Sequence, residues 1–312
     1  MTSIKKTVTG KTLYITDLDG TLLDSNICVS QESVEMLNRA IDSGALVSVA
    51  TARTPATLAN LLRNVRFRLP LIVMTGAALW HRDTNTYSDV CHFPAEKAAE
   101  ILHVYREYSL PTFVYTLREN MMHIYHSGPL SDRERNFVAE RLDSPYKTFH
   151  LRDAALASIN FGRSEITADR EIAPPDVIDD AILFFGMQPT GPSHPAFDAL
   201  RRIGDINPMF YPDANIPEIT MIEAFPQKAS KRFGIRRLKQ LTGADRVVVF
   251  GDNLNDIPMM EEADLAVAVD NALPEVKAKA HITIGNHNEN AVAAFILEET
   301  LSNSSKPLLT EF

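Results

Sequence analysis

The segment Asp17-Leu18-Asp19-Gly20-Thr21 constrains this chain more than any other feature of its sequence. It follows the apolar run Leu13-Tyr14-Ile15, which is typical of a buried strand, and a glycine turn comes directly after the two carboxylates. Residues i and i+2 of an extended backbone lie on the same face, so Asp17 and Asp19 are expected to crowd the end of that strand. Carboxylates that close repel each other unless one is protonated or a cation lies between them. The segment therefore favours an aspartate nucleophile with an acid–base partner and Mg²⁺, although an ordinary strand-to-turn exit also fits it.

Length and charge limit the class of protein. A chain of 312 residues is too long for one compact core, so we expect two domains. The net charge of −9 and the absence of a basic run argue against nucleic-acid binding. Cys28 and Cys91 have no metal or redox spacing, residues 1–11 contain no apolar segment typical of a signal peptide, and Leu69–Trp80 is too short and too interrupted to span a bilayer. We therefore expect a soluble, cytoplasmic protein without a membrane partner.

Both ends of the chain alternate short apolar runs with amphipathic segments, which predicts a parallel sheet covered by helices on both faces. One helix is expected from about Ser30, an N-cap residue, to Gly44, and another is expected to open at Thr54-Pro55. The predicted strands of the two ends are Leu13–Thr16, Ala45–Ala50, Leu71–Met74, Arg246–Phe250, Leu265–Val269 and Ile282–Ile284.

The middle of the chain has a different order of predicted elements, with pairs of strands between helices. Thr112–Leu117 and Met121–His126 are predicted to form a hairpin, which is typical of an antiparallel-rich α+β layer. We therefore predict an α/β fold with a Rossmann-like, doubly wound parallel sheet as its core. Residues 1–83 and 226–312 are expected to form this core, and residues 84–225 an inserted α+β cap domain.

Two further polar residues border apolar segments of the predicted core. Thr51 ends the strand that contains Val47-Ser48-Val49-Ala50, where a hydroxyl beside backbone amides suits a phosphate oxygen, although a threonine that caps the next turn fits equally. Lys231 opens a predicted helix, where a solvated charge is the ordinary interpretation. It gains significance if carboxylate and phosphate charge nearby requires a fixed cation.

A second acidic segment, Gly251-Asp252-Asn253-Leu254-Asn255-Asp256, follows the apolar strand Val247–Phe250. Hard oxygen ligands at the carboxyl end of a parallel strand suit Mg²⁺, which takes one or two carboxylates, several waters and a substrate phosphate. An Asx-rich turn that caps a helix is the alternative. The segment is more acidic than capping requires, and this favours metal binding.

In their order along the chain, these segments resemble the four motifs of the haloacid dehalogenase-like hydrolase superfamily. The inserted middle segment, which lies between the second and third motifs, looks like the large α/β cap of the Cof-type phosphatases. The residues that carry the resemblance are Asp17, Asp19, Thr51, Lys231, Asp252 and Asp256.

The resemblance implies a role for each residue of the phosphoryl site. Asp17 is the nucleophile that becomes an aspartyl-phosphate, and Asp19 protonates the leaving alcohol and then activates water. Thr51 and Lys231 hold phosphoryl oxygens, with help from Asn255. Phosphoryl transfer depends mainly on positioning and charge neutralisation, which these residue types supply.

The resemblance also implies the cofactor. Asp17, the backbone carbonyl of Asp19 and Asp252 are the expected ligands of Mg²⁺, with Asp256 supporting the metal's waters. The second motif commonly contains Thr-Gly-Arg, but Ala52 replaces the glycine here, and Thr75 stands where the family often has asparagine. Both departures affect how the leaving group is seated rather than the nucleophile or the metal.

The predicted function is Mg²⁺-dependent hydrolysis of a small phosphate monoester, such as a sugar phosphate or a similar metabolite. A phosphomutase of the phosphomannomutase type is the alternative within enzymes, although the insert shows no cluster of arginines for a second phosphate. A sugar-phosphate-binding regulator with weak catalysis is the alternative outside enzymes. Neither the physiological substrate, the cap residues that select it nor the oligomeric state can be predicted from the sequence.

Overall fold

The computed structural model describes residues 10–126, 129–142, 145–152, 165–167, 180–212, 216 and 218–304. The chain divides into two compact units. The first unit consists of Met1–Thr84 and Ser230–Phe312, and the second of Asn85–Ala229. None of the helices within the described ranges is long and apolar enough to cross a membrane.

Strands and helices alternate through much of the first unit, whereas the second unit contains pairs of consecutive strands between its helices. The strands are β1 Thr12–Thr16, β2 Leu46–Val49, β3 Leu71–Val73, β4 Ala78–His81, β5 Thr86–Ser88, β6 Phe113–Arg118, β7 Met121–His126, β8 Lys147–Arg152, β9 Glu165–Thr167, β10 Ala181–Pro189, β11 Ile206–Pro212, β12 Ile219–Pro226, β13 Arg246–Gly251, β14 Leu265–Ala268 and β15 Ile282–Thr283. The helices are α1 Gln31–Asp42, α2 Pro55–Leu58, α3 Ala95–Glu107, α4 Asp132–Ala139, α5 Pro195–Leu200, α6 Lys231–Thr242, α7 Ile257–Met260, α8 Pro274–Lys279 and α9 Ala291–Ser304.

The core sheet of the first unit contains five parallel strands in the order β15-β14-β13-β1-β2. Strand β1 therefore lies between β13 and β2, and the carboxyl ends of all three strands meet at one edge. Its residues Leu13 and Ile15 are fully buried, as expected for a strand inside a parallel sheet. The predicted α/β class with a parallel core is confirmed.

The strand predicted at Leu71–Met74 does not join the parallel sheet as expected. Strand β3 pairs antiparallel with β4 in a separate sheet, and a single parallel bridge joins Ile72 to Ala50. A short 3-10 turn over Met74–Gly76 reverses the chain after β3, and all three of its residues have positive φ. The sequence-based interpretation missed this reversal because Thr75, a β-branched residue, rarely adopts that conformation.

The second unit is built on a seven-stranded sheet in the order β11-β12-β10-β6-β7-β8-β9. The predicted hairpin is present as β6 and β7, whereas β8 and β9 are parallel additions that the sequence did not predict. Helices α3 and α5 pack on one face of this sheet, where Tyr105 and Leu200 meet Val114, Phe184 and Ile222 in a common core. The presence of this second sheet confirms the prediction that the inserted segment contains a sheet of its own.

The position of helix α6 depends on two glycines of the first unit. A Cβ at Gly76 would lie 2.1 Å from the carbonyl oxygen of Ser230, and a Cβ at Gly234 would lie 2.5 Å from Cγ2 of Ile72. Ser230 caps the helix by accepting a hydrogen bond from the backbone N–H of Phe233. The start of α6 is therefore held close to strand β3 and to the turn that follows it.

We expect Gly234→Ala to destabilise the first unit. Alanine is normally the better helix former by about 1 kcal/mol, but overpacking against Ile72 costs about 1–3 kcal/mol. Urea unfolding followed by the fluorescence of Trp80, the single tryptophan, measures this unit because that side chain is fully buried in β4. Gly204→Ala in the second unit is the control, since its Cβ would meet no atom within 4 Å, and it should leave the transition of Trp80 unchanged. A more stable Gly234→Ala variant would contradict the packing argument.

Candidate active site

The carboxyl end of strand β1 places Asp17 at the centre of the sheet edge. Its backbone N–H donates to the carbonyl oxygen of Phe250 at 2.9 Å, so the residue continues the pairing between β1 and β13. Only 7% of Asp17 is exposed. Burial raises the pKa of this carboxyl above its ordinary value, and Lys231 opposes that effect.

Lys231 neutralises two buried carboxylates. Its Nζ donates to Oδ1 of Asp17 at 2.5 Å and to Oδ1 of Asp256 at 2.6 Å. Burial alone would lower the pKa of Lys231, but the two carboxylates outweigh it and hold the pKa above its usual range. The ammonium therefore stays charged, and it is not the solvated helix charge that is ordinary at such a position.

Asp256 is fully buried and organises the acidic loop. Its Oδ2 accepts the backbone N–H groups of Asp252 and Asn253 at 3.0 and 3.1 Å, while Oδ1 accepts Lys231. Both carboxylate oxygens are thus occupied by protein donors. Asp256 fixes the backbone of the loop and the position of the lysine at the same time.

Asp252 faces the glycine turn that follows β1. The hydroxyl of Thr21 donates to its Oδ1 at 2.6 Å, and a Cβ at Gly20, whose φ is +78°, would lie 2.5 Å from its Oδ2. Burial is the main cause that raises the pKa of Asp252 to about 6. Carboxylate oxygens of Asp17, Asp252 and Asp256 lie within 4.8 Å of one another, so these residues form a cluster of the kind that holds a cation.

Asp19 is held apart from that cluster by Arg53. The guanidinium donates from Nε to Oδ2 at 2.8 Å and from Nη2 to Oδ1 at 2.6 Å, which is the bidentate geometry of a strong ion pair. The side chain of Asp19 is 53% exposed, in contrast to buried Asp17. The role expected for Asp19 in metal binding concerned its backbone carbonyl, and its side chain does not join the three clustered carboxylates.

Arg53 was not predicted as a site residue. The sequence showed it only as part of the second motif, and nothing in the spacing of 34 residues indicated its pairing with Asp19. Thr21 was missed in the same way, because its partner lies 231 residues away. The available signal was Gly20, because a glycine in this turn allows the backbone to approach a neighbouring group closely, as it approaches Asp252.

Thr51 and Asn255 lie at two strand ends of the same edge. Thr51 is 1% exposed, follows β2, and accepts the backbone N–H of Arg53 at its hydroxyl oxygen, which leaves the hydroxyl proton for another acceptor. Asn255 is exposed in the 3-10 turn Leu254–Asp256 after β13. Each residue predicted for the site therefore follows β1, β2 or β13 or opens helix α6.

This combination of buried aspartate, paired lysine and acidic loop can be compared with known proteins. The family model of the haloacid dehalogenase-like hydrolases matches residues 14–170 and 209–296 of this chain. The chain belongs to the haloacid dehalogenase-like hydrolases. Within them it is a phosphatase of the Cof type with an inserted α/β cap, as the sequence predicted.

Two curated relatives match nearly the whole chain. The 5-amino-6-(5-phospho-D-ribitylamino)uracil phosphatase YitU of Bacillus subtilis is 23% identical over 294 residues, which cover 92% of this chain and 96% of that protein. The pyridoxal phosphate phosphatase YbhA of Escherichia coli is 25% identical over 292 residues, which cover 90% of this chain and 95% of that protein. Both names describe enzymes that act on phosphorylated small molecules.

Solved structures show the same fold. A haloacid dehalogenase-like hydrolase from Bacteroides thetaiotaomicron aligns with a TM-score of 0.70 and 21% identity, over 93% of this chain and 99% of that one. A protein from Thermotoga maritima aligns with a TM-score of 0.68 and 20% identity, over 93% and 97% of the two chains. At these identities the likeness concerns the fold alone.

We expect Lys231→Met to destabilise the first unit strongly in the absence of metal. The substitution leaves two carboxylates buried without their cation, and removal of one partner from a buried ion pair costs about 3–5 kcal/mol. Urea unfolding followed by Trp80 fluorescence measures the loss. Lys239→Met is the matched control on the same helix, because the side chain of Lys239 is 41% exposed and its Nζ lies 3.5 Å from Oδ2 of Asp264. Equal stability of the two variants would show that the buried cation is not required.

Proposed function

We propose that this chain catalyses the Mg²⁺-dependent hydrolysis of a small phosphate monoester through an aspartyl-phosphate intermediate. The observation that carries the proposal is the environment of Asp17. One of its carboxylate oxygens is fixed by Lys231 at the end of a buried strand, and within the described ranges no group donates to the other, Oδ2. A fixed carboxylate with one unoccupied oxygen suits in-line attack on phosphorus.

The cluster of carboxylates fits a divalent cation of the hard type. Asp17 and Asp252 would hold Mg²⁺ together with the backbone carbonyl of Asp19, and Asp256 would support its waters. Three carboxylates and one ammonium leave an excess of negative charge that a divalent cation compensates. When bound, the cation supplies charge neutralisation to the phosphoryl group.

The first chemical step belongs to Asp17. Its carboxylate attacks the phosphorus atom, the bond from phosphorus to the leaving oxygen breaks, and Asp19 donates a proton to that oxygen. The hydroxyl of Thr51 and the ammonium of Lys231 hold the phosphoryl oxygens, with Asn255 assisting. These contacts stabilise charge on the equatorial oxygens, which is the main requirement of phosphoryl transfer.

The second step regenerates Asp17. Asp19, now a carboxylate, removes a proton from water, the water oxygen bonds to phosphorus, and the bond to Asp17 breaks to release inorganic phosphate. The bidentate pair with Arg53 fixes the position and orientation of the Asp19 carboxyl group. Both carboxylate oxygens of Asp19 accept from Arg53, so this pair must open before Asp19 exchanges a proton with the leaving oxygen or with water.

The names of the relatives support a class of substrate. Proteins named as phosphatases of a ribitylamino-uracil phosphate and of pyridoxal phosphate both match this chain over nine-tenths of its length. We propose a phosphorylated metabolite of comparable size as the substrate. The inserted segment, predicted as the cap over residues 84–225, would select among such metabolites while the chemistry stays with the first unit.

We expect Asp17→Asn to abolish turnover of p-nitrophenyl phosphate without loss of the fold, because the variant keeps the shape of the side chain but not the nucleophile. Asp19→Asn should lower the rate with an alkyl phosphate by about 10²–10⁴-fold, because the proton donor is lost. Its deficit should be smaller with p-nitrophenyl phosphate, whose leaving group hardly needs a proton. Steady-state kinetics on both substrates checks these expectations. An active Asp17→Asn variant, or equal deficits of Asp19→Asn on both leaving groups, would refute the assigned roles.

We expect the affinity for Mg²⁺ to fall as the pH decreases through about 6, because the metal binds the carboxylate form of Asp252 and a proton then occupies that ligand. The loss between pH 7 and pH 5 should be on the order of tenfold or more. Calorimetric titration of Mg²⁺ at several pH values measures it. Asp252→Asn should bind weakly with a shallower pH dependence, whereas Asp270→Asn, an exposed control, should behave as the wild type. An affinity that does not change with pH would argue against this ligand.

A further inference from the structure

Lys147 lies at a buried position of the second unit, where its neighbours on the same face of the sheet are apolar. It begins strand β8 and is 3% exposed. Its register partner in β7 is Met122, and the partner of Met122 in β6 is Leu117. Directly paired residues point to the same face of a sheet, and both of these partners are buried. A lysine in such a row costs stability, which is expected where a residue serves binding rather than folding.

The ammonium of Lys147 has no carboxylate partner within the described ranges. Its recorded contact is with the ring of Phe149, whose centroid lies 5.2 Å from Nζ. Burial, with a smaller contribution from Arg141, lowers the pKa of Lys147 to about 7. Buried lysines are almost always paired with an anion, and none of the described residues supplies one to Lys147.

Arg141 brings a second cation to the same face of the sheet. Its guanidinium lies 4.1 Å above the ring of Phe137, which itself packs against Phe113 of β6. Nη1 donates to the carbonyl oxygen of Phe137 and to the carboxylate oxygen Oε2 of Glu140, both at 2.9 Å. These contacts fix the guanidinium, and in the described structure its other N–H groups have no recorded acceptor.

Tyr115 adds a neutral donor beside the two cations. It pairs with Ile124, which pairs with Phe149, so its ring lies in the row next to Lys147 on the same face. Burial raises its pKa well above the usual value, against a lowering by Arg141, so the phenol remains protonated. Glu223, whose charge also reaches Tyr115, is hydrogen-bonded to Tyr211 and is not among the groups that shift the pKa of Lys147 in the described structure.

We propose that Lys147, Arg141 and Tyr115 form an anion-binding site on the second unit, which takes a carboxylate or a phosphate group. The guanidinium of Arg141 and the ammonium form of Lys147, which a bound anion stabilises, supply charge-assisted hydrogen bonds to the oxygens of such a group, and the phenol of Tyr115 supplies a neutral one. The anion has two possible sources, a charged group on the leaving part of the substrate or a free anion. The first source rests on the proposed function, and the second does not.

The test compares Lys147→Met and Arg141→Met with the wild type in the full-length chain. Methionine keeps the length and apolar stem of lysine and removes its charge, so Lys147→Met should unfold at the same or a higher temperature than the wild type. Lys97→Met is the matched control, because Lys97 lies on helix α3, packed on the opposite face, and pairs with Glu100. Arg141→Met keeps the test valid if Lys147→Met fails to fold.

Two arms distinguish the source of the anion. If it belongs to the substrate, both variants should raise the KM for phosphoglycolate by about tenfold or more. The KM for p-nitrophenyl phosphate should stay at the wild-type value, because the nitrophenyl group of that ester carries no charge. If it is a free anion, malonate should raise the melting temperature of the wild type in a saturable manner but not that of the variants.

One result would overturn the proposal. If Lys147→Met and Arg141→Met match Lys97→Met in both arms, the cations bind no anion. Failure of the proposed function gives a different result, because the wild type would then leave p-nitrophenyl phosphate intact while the malonate arm still reports on the site.

Discussion

The contact between the Lys231 ammonium and the carboxylates of Asp17 and Asp256 is the interaction on which the rest of the site depends. Three carboxylates whose oxygens lie within 4.8 Å would repel one another in a buried edge, and one fixed ammonium permits their approach. The position of that ammonium is set by the backbone rather than by its own flexible stem. Gly76 and Gly234 allow helix α6 to start against the end of β3, and Ser230 caps its first turn.

The parallel sheet gives this interaction its place. The carboxyl ends of neighbouring parallel strands meet at one edge, so residues that follow β1, β2 and β13 become neighbours although they are far apart in sequence. The central strands are apolar and pack in the core, whereas the loops that follow them carry the polar groups of the site. The strands therefore supply stability, and the loops at their carboxyl ends supply the chemistry.

The elements that follow from local pattern could be predicted from the sequence. The apolar strands β1 and β13, the helix after Ser30 and the helix that begins at Lys231 agree with their predicted positions, because periodicity and caps are local properties. The pairing of Arg53 with Asp19 could not be predicted, because it depends on how two loops approach each other. Strand β8 was missed for a different reason: Lys147 breaks the apolar alternation at a buried position.

The hydrogen bond from Thr21 to Asp252 joins residues 231 positions apart in the chain. At a synthesis rate of about 5–20 residues per second, the two partners leave the ribosome about 10–50 seconds apart. During that interval β1 has no β13 beside it, and the apolar strand that ends in Asp17 presents an unpaired edge to its surroundings. The second unit, a compact segment between the two halves, has time to fold within this gap. The order of synthesis thus makes the nascent first half a natural client for chaperones until its central neighbour arrives.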